Sequence, residues 1–264
     1  MNAVNYPLGH TQTELDRLDL QAMLLQDPLL EKLVSEAKSV LEIGCGNGSN
    51  LKLLRQSNPD FRYTGIDIAP DAVAEARKRF HDDANAQFIQ MDGASIDLPN
   101  ESFDLVFTKL VLWSIGPAWT VVLKEALRLL SPGGTFYAME PANDMIEIYP
   151  EKPALKTWMD KWDKAIFNAG MDTYIGSKVA TGLKKAGFSQ VDSKFFPIIA
   201  SASEQDRYSA IVSNLKGFYM GPAAELLGLP AADSEARTAA IKQLEEFGSD
   251  SLVMDALFVS WARK

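Results

Sequence analysis

The segment LEIGCGNG, residues 41–48, decides how this chain is interpreted. It joins the apolar run Ser39–Ile43 to a stretch of helical periodicity that begins at Ser49. Glycines at the alternating positions 44, 46 and 48 allow a tight turn, and they let the backbone approach a ligand without an intervening Cβ. A helix that follows such a turn directs free N–H groups at whatever lies there. The segment therefore predicts a strand, a ligand-binding loop and a helix, in that order.

The spacing of these glycines favours one kind of ligand. A loop that binds the pyrophosphate of a dinucleotide reads Gly-x-Gly-x-x-Gly, which requires a third glycine where this chain has Ser49. The spacing here is Gly-x-Gly-x-Gly, with the acid Glu42 just ahead of it. It is better suited to a nucleoside ligand without phosphates. A plain strand–helix turn remains the alternative for the motif taken alone.

Outward from this loop, short apolar runs alternate with amphipathic stretches. In the first half we predict strands at 39–43, 63–68, 87–91, 103–108 and 135–139, with helices at 49–56, 70–80 and 117–130. In the second half we predict helices at 153–168 and 177–186, and strands at 191–199 and 252–262. Strands that alternate with helices indicate βαβ units and a parallel sheet covered by helices.

The flanking segments suggest how the chain is organised. Residues 1–38, helical in character from about 11 to 37, are expected to form an N-terminal cap. Residues 39–264 are expected to form one domain, with a helical insertion at about 203–247 before the last strand. We interpret the insertion as a lid; a dimer contact or a plain structural insertion is the alternative.

Two acids end predicted strands at one edge of the sheet. Asp67 ends the second strand, where doubly wound folds place a carboxylate that accepts hydrogen bonds from ribose hydroxyls. It can also cap the helix that begins near Pro70. Asp92 follows the third strand, beside Gly93, and can accept from an adenine amino group or simply form a turn.

Composition restricts the partners. The formal charge of −9 repels phosphate backbones, so we expect no nucleic-acid partner. A single cysteine, Cys45, fits a reducing compartment, and no apolar stretch is long enough to span a bilayer, so a cytoplasmic protein without membrane contact is expected. His10 and His81 with this cysteine make no ligand spacing, so we expect no metal.

Taken together, these residues resemble the class I S-adenosylmethionine-dependent methyltransferases. The resemblance covers about residues 38–140 and rests on the glycine loop, Asp67, Asp92, FDLV at 103–106 and LSPGG at 130–134. The stretch at 182–188 before the sixth strand is also typical. The resemblance implies an α/β fold with a doubly wound, mostly parallel seven-stranded sheet whose last strand is antiparallel. It also implies methyl transfer to a small-molecule acceptor by in-line displacement.

The resemblance also implies roles for individual residues. Four loop residues would contact the methionyl part of the cofactor S-adenosylmethionine: Gly44, Cys45, Gly46 and Gly48. The nucleoside would be held by Asp67 at the ribose, Ile68 on the adenine, and Asp92 and Gly93 at the adenine edge, while Lys109 and Leu110 would border the methyl group. Arg17 and Gln21 share a helix face in an entrance segment, where Arg17 can pair with the cofactor carboxylate or form an ordinary exposed salt bridge.

The chain departs from many relatives after the fourth strand. Where those carry a histidine or an acid, this chain has Trp113-Ser114-Ile115. Trp113 is expected either to line an apolar acceptor pocket or to belong to the core. Phe218 and Tyr219 in the insertion are further candidates for acceptor contact. The candidates left for a general base are His10, Tyr6, Tyr174 and Glu140.

Three other functions stay open at this stage. One is an enzyme that uses the same fold for other chemistry, such as transfer from a decarboxylated donor, for which the sequence carries no positive sign. A non-catalytic module that binds S-adenosylmethionine shares every motif, since a fold does not fix a function. A nicotinamide-dependent oxidoreductase is disfavoured by Ser49. The protein is expected to be a monomer or a homodimer, and the sequence leaves open whether oxygen, nitrogen, carbon or sulfur accepts the methyl group.

Overall fold

In the computed structural model, the described residues are 12–201, 203–221, 224, 227–229, 234–246 and 250–264. Within them, eight strands form one mixed sheet. The strands are β1 Ser39–Ile43, β2 Arg62–Asp67, β3 Ala86–Gln90, β4 Phe103–Lys109, β5 Leu130–Pro141, β6 Glu147–Tyr149, β7 Ser189–Ser201 and β8 Leu252–Arg263.

The helices lie between and around these strands. Those of the first half are α1 Gln12–Leu24, α2 Pro28–Glu36, α3 Ser49–Ser57, α4 Pro70–Arg79 and α5 Trp119–Leu129. Those of the second half are α6 Pro153–Asn168, α7 Gly176–Ala186, α8 Gln205–Met220 and α9 Glu235–Glu245. Short 3₁₀ turns occupy Leu112–Ser114, Gly116–Ala118 and Asn143–Met145.

The sheet has the predicted doubly wound order. It runs β3-β2-β1-β4-β5-β8, in which the first five strands are parallel and β8 is antiparallel to β5. Strand β7 lies antiparallel along the other side of β8. All five residues of β1 are buried, as expected for a central strand covered on both faces. The α/β fold inferred from the sequence is confirmed.

The structure differs from the prediction at β5 and β6. Strand β5 begins at Leu130, which pairs with Phe103, and residues 131–134, predicted as a turn before the strand, bulge out before the pairing resumes at Thr135. The three-residue β6 was not predicted. It pairs with residues 252–254 of β8, so β8 extends past the end of β5.

The predicted N-terminal helix is broken at Asp27-Pro28. Asp27 caps α2 by accepting a hydrogen bond from the backbone N–H of Leu29 at 3.1 Å, and proline suits the first helical position. The same buried carboxylate accepts from the Tyr137 hydroxyl at 3.0 Å and the Lys194 ammonium at 2.8 Å. Asp27 therefore ties the N-terminal helices to β5 and β7.

The segment between β7 and β8 contains α8 and α9. Helix α8 packs against α1, and α9 packs against α6. Phe247, the predicted end of the insertion, and Pro222 lie outside the described residues. None of the helices that the structure describes is both long and apolar enough to cross a membrane.

Replacing Asp27 with alanine should destabilise the protein, because it removes a helix cap and leaves the Lys194 ammonium without its partner. We expect the free energy of unfolding to fall by about 2–4 kcal/mol, since Lys194 is partly exposed and the full cost of breaking a buried pair is not reached. Urea denaturation followed by circular dichroism measures this. The control Asp82→Ala removes an exposed carboxylate and should change stability by less than about 0.5 kcal/mol. Equal unfolding midpoints for the two variants would contradict the assignment.

Candidate functional site

A cavity of about 950 Å³ opens at the carboxyl ends of the parallel strands. One end is lined by the loop after β1 and by the ends of β2 and β3. The other end is lined by residues of β7 and β8, and helices α1 and α8 cover it. Cavities in doubly wound folds bind their ligands at this edge of the sheet.

The glycine loop has the backbone that its sequence predicts. Gly44, Gly46 and Gly48 have φ values of 78°, 52° and 78°, in the left-handed region that favours glycine. A Cβ placed on Gly46 would meet nothing within 4 Å, so the space beside this cavity-lining residue is free for a ligand. A Cβ on Gly44 would lie 2.4 Å from Cγ2 of Val111, so the loops after β1 and β4 are in close contact.

Two of the loop residues predicted to contact the cofactor, Cys45 and Gly48, are not among the residues that line the cavity. Cys45 is buried and lies under Gly65, where an added Cβ would come within 2.9 Å of its Sγ. Burial raises the pKa of the Cys45 thiol well above its usual value, which suits a packing residue. Gly48 fits against the Phe80 ring, 2.6 Å from where a Cβ would stand. Contact of Cys45 or Gly48 with a cofactor stays a prediction.

Asp67 connects the loop to β2. Its Oδ2 accepts from the backbone N–H of Gly46 at 2.8 Å, and its Oδ1 accepts from the N–H of Ala69 at 2.9 Å. Helix α4 has Ala69 at its N-cap and no side-chain cap, so Asp67 is not the helix cap considered from the sequence. Each carboxylate oxygen retains capacity for a second hydrogen bond, and Asp67 lines the cavity.

Ile68, Asp92 and Gly93 line the cavity next to Asp67. Ile68 is 49% exposed, so its side chain presents an apolar face to the cavity. Asp92 accepts from the backbone N–H of Ala94 at 2.8 Å, so it shapes the turn as well as facing the cavity. An apolar face beside two carboxylates is the surface that a nucleoside requires.

A chain of hydrogen-bonded polar groups leads from the buried Glu42 to the cavity. Glu42 accepts from Asn50 Nδ2 at 2.6 Å and from the Tyr63 hydroxyl, and Lys109 Nζ donates to Asn50 Oδ1 at 3.0 Å. Burial raises the pKa of Glu42 to about 7 and lowers the pKa of Lys109 to about 8, although the charge of each opposes the shift of the other. Lys109 lines the cavity, so this chain sets the charge beside the predicted methyl position.

The loop after β4 is held in an unusual conformation. Leu110 has φ +58°, its N–H donates to the Met139 carbonyl at 2.8 Å, and its own carbonyl accepts from Trp113 Nε1 at 2.9 Å. The fully buried Glu140 accepts from the backbone N–H groups of Val111, Leu112 and Trp113 at 3.1, 2.9 and 3.3 Å.

Glu140 therefore fixes the loop. Burial raises the pKa of Glu140 to about 7, but the described residues that line the cavity do not include it. Tyr174, another candidate base, donates to Asp163 at 3.3 Å and is likewise absent from that wall. A base at either position stays a prediction, and Tyr6 and His10 lie outside the described residues.

The three predicted acceptor contacts all line the cavity. Trp113 is buried, and its ring meets Phe218 edge to face at 5.5 Å, so it belongs both to the core and to the wall. Phe218 also contacts the Tyr219 ring at 5.0 Å. The Tyr219 hydroxyl accepts from Asn143 Nδ2 at 2.9 Å, which brings a polar group to this end of the cavity.

Arg17 and Gln21 line the cavity from α1. Arg17 is buried, and its Nε and Nη2 donate to Glu14 at 2.7 Å each. Its Nη1 donates to Asn214 of α8 at 3.0 Å. Of the two alternatives considered for Arg17, a salt bridge is present, but it is buried and lies within α1. The separate hydrogen bond to Asn214 joins α1 to α8.

Sequence reasoning missed several polar cavity residues. Asn143 and Asn214 carry no signal, because asparagine is common in loops and on helix surfaces. Asp255 had one: it is the only charged residue in the mostly apolar predicted strand at 252–262, and it lines the cavity. Among the described residues, no group of three or more His, Cys, Asp or Glu side chains could hold a metal ion.

Residues 41–138 match the family described as "Methyltransferase domain". This part of the chain is a methyltransferase domain. The match begins at the glycine loop and ends in β5, so the family resemblance inferred from the sequence is confirmed.

Two curated relatives also match. A fatty-acid O-methyltransferase from Mycolicibacterium smegmatis is 32% identical over 130 residues, which cover 49% of this chain and 47% of the relative. A 2-methyl-6-phytyl-1,4-hydroquinone methyltransferase from Synechocystis is 29% identical over 168 residues, which cover 58% of this chain and 49% of the relative. The chain thus spans about half the length of the curated relatives it matches.

A solved structure agrees with the fold of the methyltransferase domain and its surroundings. The SAM-dependent methyltransferase from Thermotoga maritima superimposes with a TM-score of 0.51 at 17% identity, over 93% of this chain and 87% of that one. At this identity the likeness establishes the fold alone.

Removing the charge of Glu42 should change how stability depends on pH. The folded protein binds a proton on Glu42 more tightly than the unfolded chain, because the pKa rises from 4.5 to about 7. Wild-type stability relative to Glu42→Gln should therefore fall as pH rises from about 4.5 to 7, by on the order of 2–3 kcal/mol. Glu140 titrates in the same range but is present in both proteins, so its effect cancels.

Urea unfolding at several pH values measures this difference. Glu36→Gln, which removes an exposed carboxylate, is the control for the loss of one negative charge. Parallel stability curves for wild type and Glu42→Gln would show that the buried carboxyl does not titrate as described.

Proposed function

We propose that this protein is an S-adenosylmethionine-dependent methyltransferase that acts on a small-molecule acceptor. The observation that carries the proposal is the cavity wall in which the glycine loop, Asp67 and the exposed face of Ile68 meet. The residues present suit this cofactor. The free space at Gly46 admits its methionyl part, Asp67 accepts from the ribose hydroxyls, Ile68 packs on the adenine, and Asp92 accepts from the adenine amino group.

The bound cofactor supplies a methyl group that is already activated on a sulfonium. The work left to the chain is to align the acceptor and to exclude water, and alignment can contribute up to about 7–11 kcal/mol. Glu140 holds the backbone of the loop after β4 against the glycine loop, which keeps the cavity wall in one shape. Trp113 and Phe218 form an apolar wall that disfavours water.

The wall also indicates the class of acceptor. It is predominantly apolar, and the chain carries a net charge of −9, so we propose an uncharged or cationic acceptor with an apolar body. Nucleic acid is disfavoured by the same charge. We further propose that the protein works in the cytoplasm, where a lone buried Cys45 stays reduced, as a monomer or a homodimer.

We also propose that α1 and α8 act together as a lid over the acceptor. They are joined by the Arg17–Asn214 hydrogen bond, and both line the cavity. Gly217 lets them approach, because an added Cβ would lie 2.4 Å from Arg17 Cδ. Gly217 lies within α8 at this contact, which supports a role in the close packing of α8 on α1.

Asp67→Ala should weaken the binding of S-adenosylmethionine by about 1–3 kcal/mol, the usual cost of losing a charge-assisted hydrogen bond. Isothermal calorimetry measures this, with NAD as the comparison ligand for wild type. Asp60→Ala, an exposed carboxylate outside the cavity, is the matched control. Unchanged affinity in Asp67→Ala would refute the ribose assignment, and preference of wild type for NAD would refute the proposed function.

Gly217→Ala should separate α1 from α8. Hydrogen exchange with S-adenosylhomocysteine bound is expected to be faster in residues 12–20 and 203–221 than in wild type, while the glycine loop remains protected. Ser213→Ala, on the exposed face of α8, should behave as wild type. The lid proposal fails if the two segments exchange equally in free and fully liganded wild-type protein, or if Gly217→Ala leaves both unchanged.

A further inference from the structure

Asp255 faces the end of the cavity that lies away from the glycine loop. Strand β8 pairs Leu257 with Pro141, the last residue of β5, and both line the cavity. Asp255 precedes Leu257 by two residues on β8, so its side chain points to the same face of the sheet as Leu257. It lies about 7 Å beyond the end of β5. Its partner on β7, Ile198, also lines the cavity.

The surroundings of this carboxylate are mostly apolar. Ile198 and Leu257 flank it along the sheet, and α8 covers this end of the cavity with Leu215 and Tyr219. Its Oδ1 accepts from the adjacent backbone N–H of Ala256 at 2.7 Å. Among the residues that the structure describes, no lysine, arginine or histidine forms an ion pair with Asp255. Burial raises its pKa to about 6, so the charged form still predominates at neutral pH.

A second acid makes this end of the cavity more negative. Asp163 is 7% exposed and accepts from Asn143 Nδ2 at 2.9 Å and from the Thr173 hydroxyl at 3.0 Å. The same Asn143 group donates to the Tyr219 hydroxyl at 2.9 Å. The charges of Asp163 and Asp255, after burial itself, raise the pKa of Tyr219 well above its usual value, which keeps the phenol neutral. Neither neutral Asn143 nor neutral Tyr219 can neutralise Asp255.

Asp255 is partly buried in the cavity wall, and a carboxylate that has lost part of its hydration is costly without a cation, because desolvated charges in proteins are normally paired. At the opposite end of the cavity the chain itself supplies a cation for its buried carboxyl group. Asn50 hydrogen-bonds to both Glu42 and Lys109 and so links the two. At Asp255 the cavity itself is the space from which a cation can approach. A ligand with a positive charge would therefore supply the cation that the described residues do not place beside Asp255.

We propose that Asp255 binds a protonated amine of the acceptor, so that the cavity selects amphipathic amines and rejects carboxylates. This inference rests on the proposed methyltransferase function and concerns recognition of the acceptor alone. Asp255 anchors the ammonium group, while the apolar wall at Trp113, Phe218 and Leu257 holds the rest of the molecule.

Three probes with one apolar body and different head groups test this proposal: phenylbutylamine, phenylbutanol and phenylbutyrate. Each is titrated calorimetrically into protein saturated with S-adenosylhomocysteine. Wild type should bind the amine at least about tenfold more tightly than the alcohol or the acid. In Asp255→Asn the amine should lose at least about tenfold in affinity, while the alcohol changes little.

The controls distinguish a failure of the proposed role of Asp255 from a failure of the proposed methyltransferase function. Asp192→Asn removes an exposed carboxylate from neighbouring strand β7 and should bind all three probes as wild type does. Titration of S-adenosylhomocysteine alone, before any probe, tests the proposed function and shows that Asp255→Asn is folded. Absence of that binding in wild type refutes the methyltransferase proposal. Binding of the cofactor product without preference for the amine, preference for the alcohol or the acid, or no binding of any probe refutes the role of Asp255.

Discussion

The contact between Gly44 and Val111 is the constraint on which the rest of the site depends. It brings the loop after β1 against the loop after β4, with no room for a single added carbon. Neither loop can move away, because Gly44 donates its backbone N–H to the Ile66 carbonyl at 2.7 Å and Glu140 holds Val111. The strand order, which makes β1 and β4 neighbours, is what places the two loops together. The strand order therefore determines the shape of the cavity, because it brings Gly44 and Val111 into this close contact.

The part of the molecule that could be predicted is the part encoded locally. Glycines at fixed spacing, followed by Asp67 and Asp92 at the ends of strands, identify the loop, the sheet edge and the fold, because each signal is complete within a few residues. The break at Asp27-Pro28 was equally local and was readable as a cap followed by proline. Strand β6 and the chain from Glu42 to Lys109 could not be predicted, since their partners are distant in sequence and their residue types are unremarkable where they stand.

The two ends of the cavity handle buried charge differently. At the cofactor end, Glu42 and Lys109 lie within one hydrogen-bonded chain, so the carboxyl group of Glu42 has a cation nearby before any ligand enters. At the far end, Asp255 and Asp163 face uncharged neighbours, and the field stays negative. A ligand with one polar head group and an apolar body therefore encounters a different charge at each end of the cavity. Hydrophobic periodicity predicts that such walls are buried, but it does not report which buried carboxylate lacks a cation.

The pairing of Ser201 with Leu252 has a consequence for how such a protein diversifies. The chain leaves the sheet after Ser201 and returns to it at Leu252, and paired residues of antiparallel strands lie only about 5 Å apart. Among the described residues, β7 and β8 form the longest strand pairing, and this pairing holds the two ends of the excursion together, so the entropic cost of closing the loop is offset by the sheet. The strand register at the two ends is therefore set by the sheet, whereas the composition of the excursion sets the contacts that its described helices make with α1 and α6. Exchange of this one segment is a route by which a single scaffold acquires new specificities.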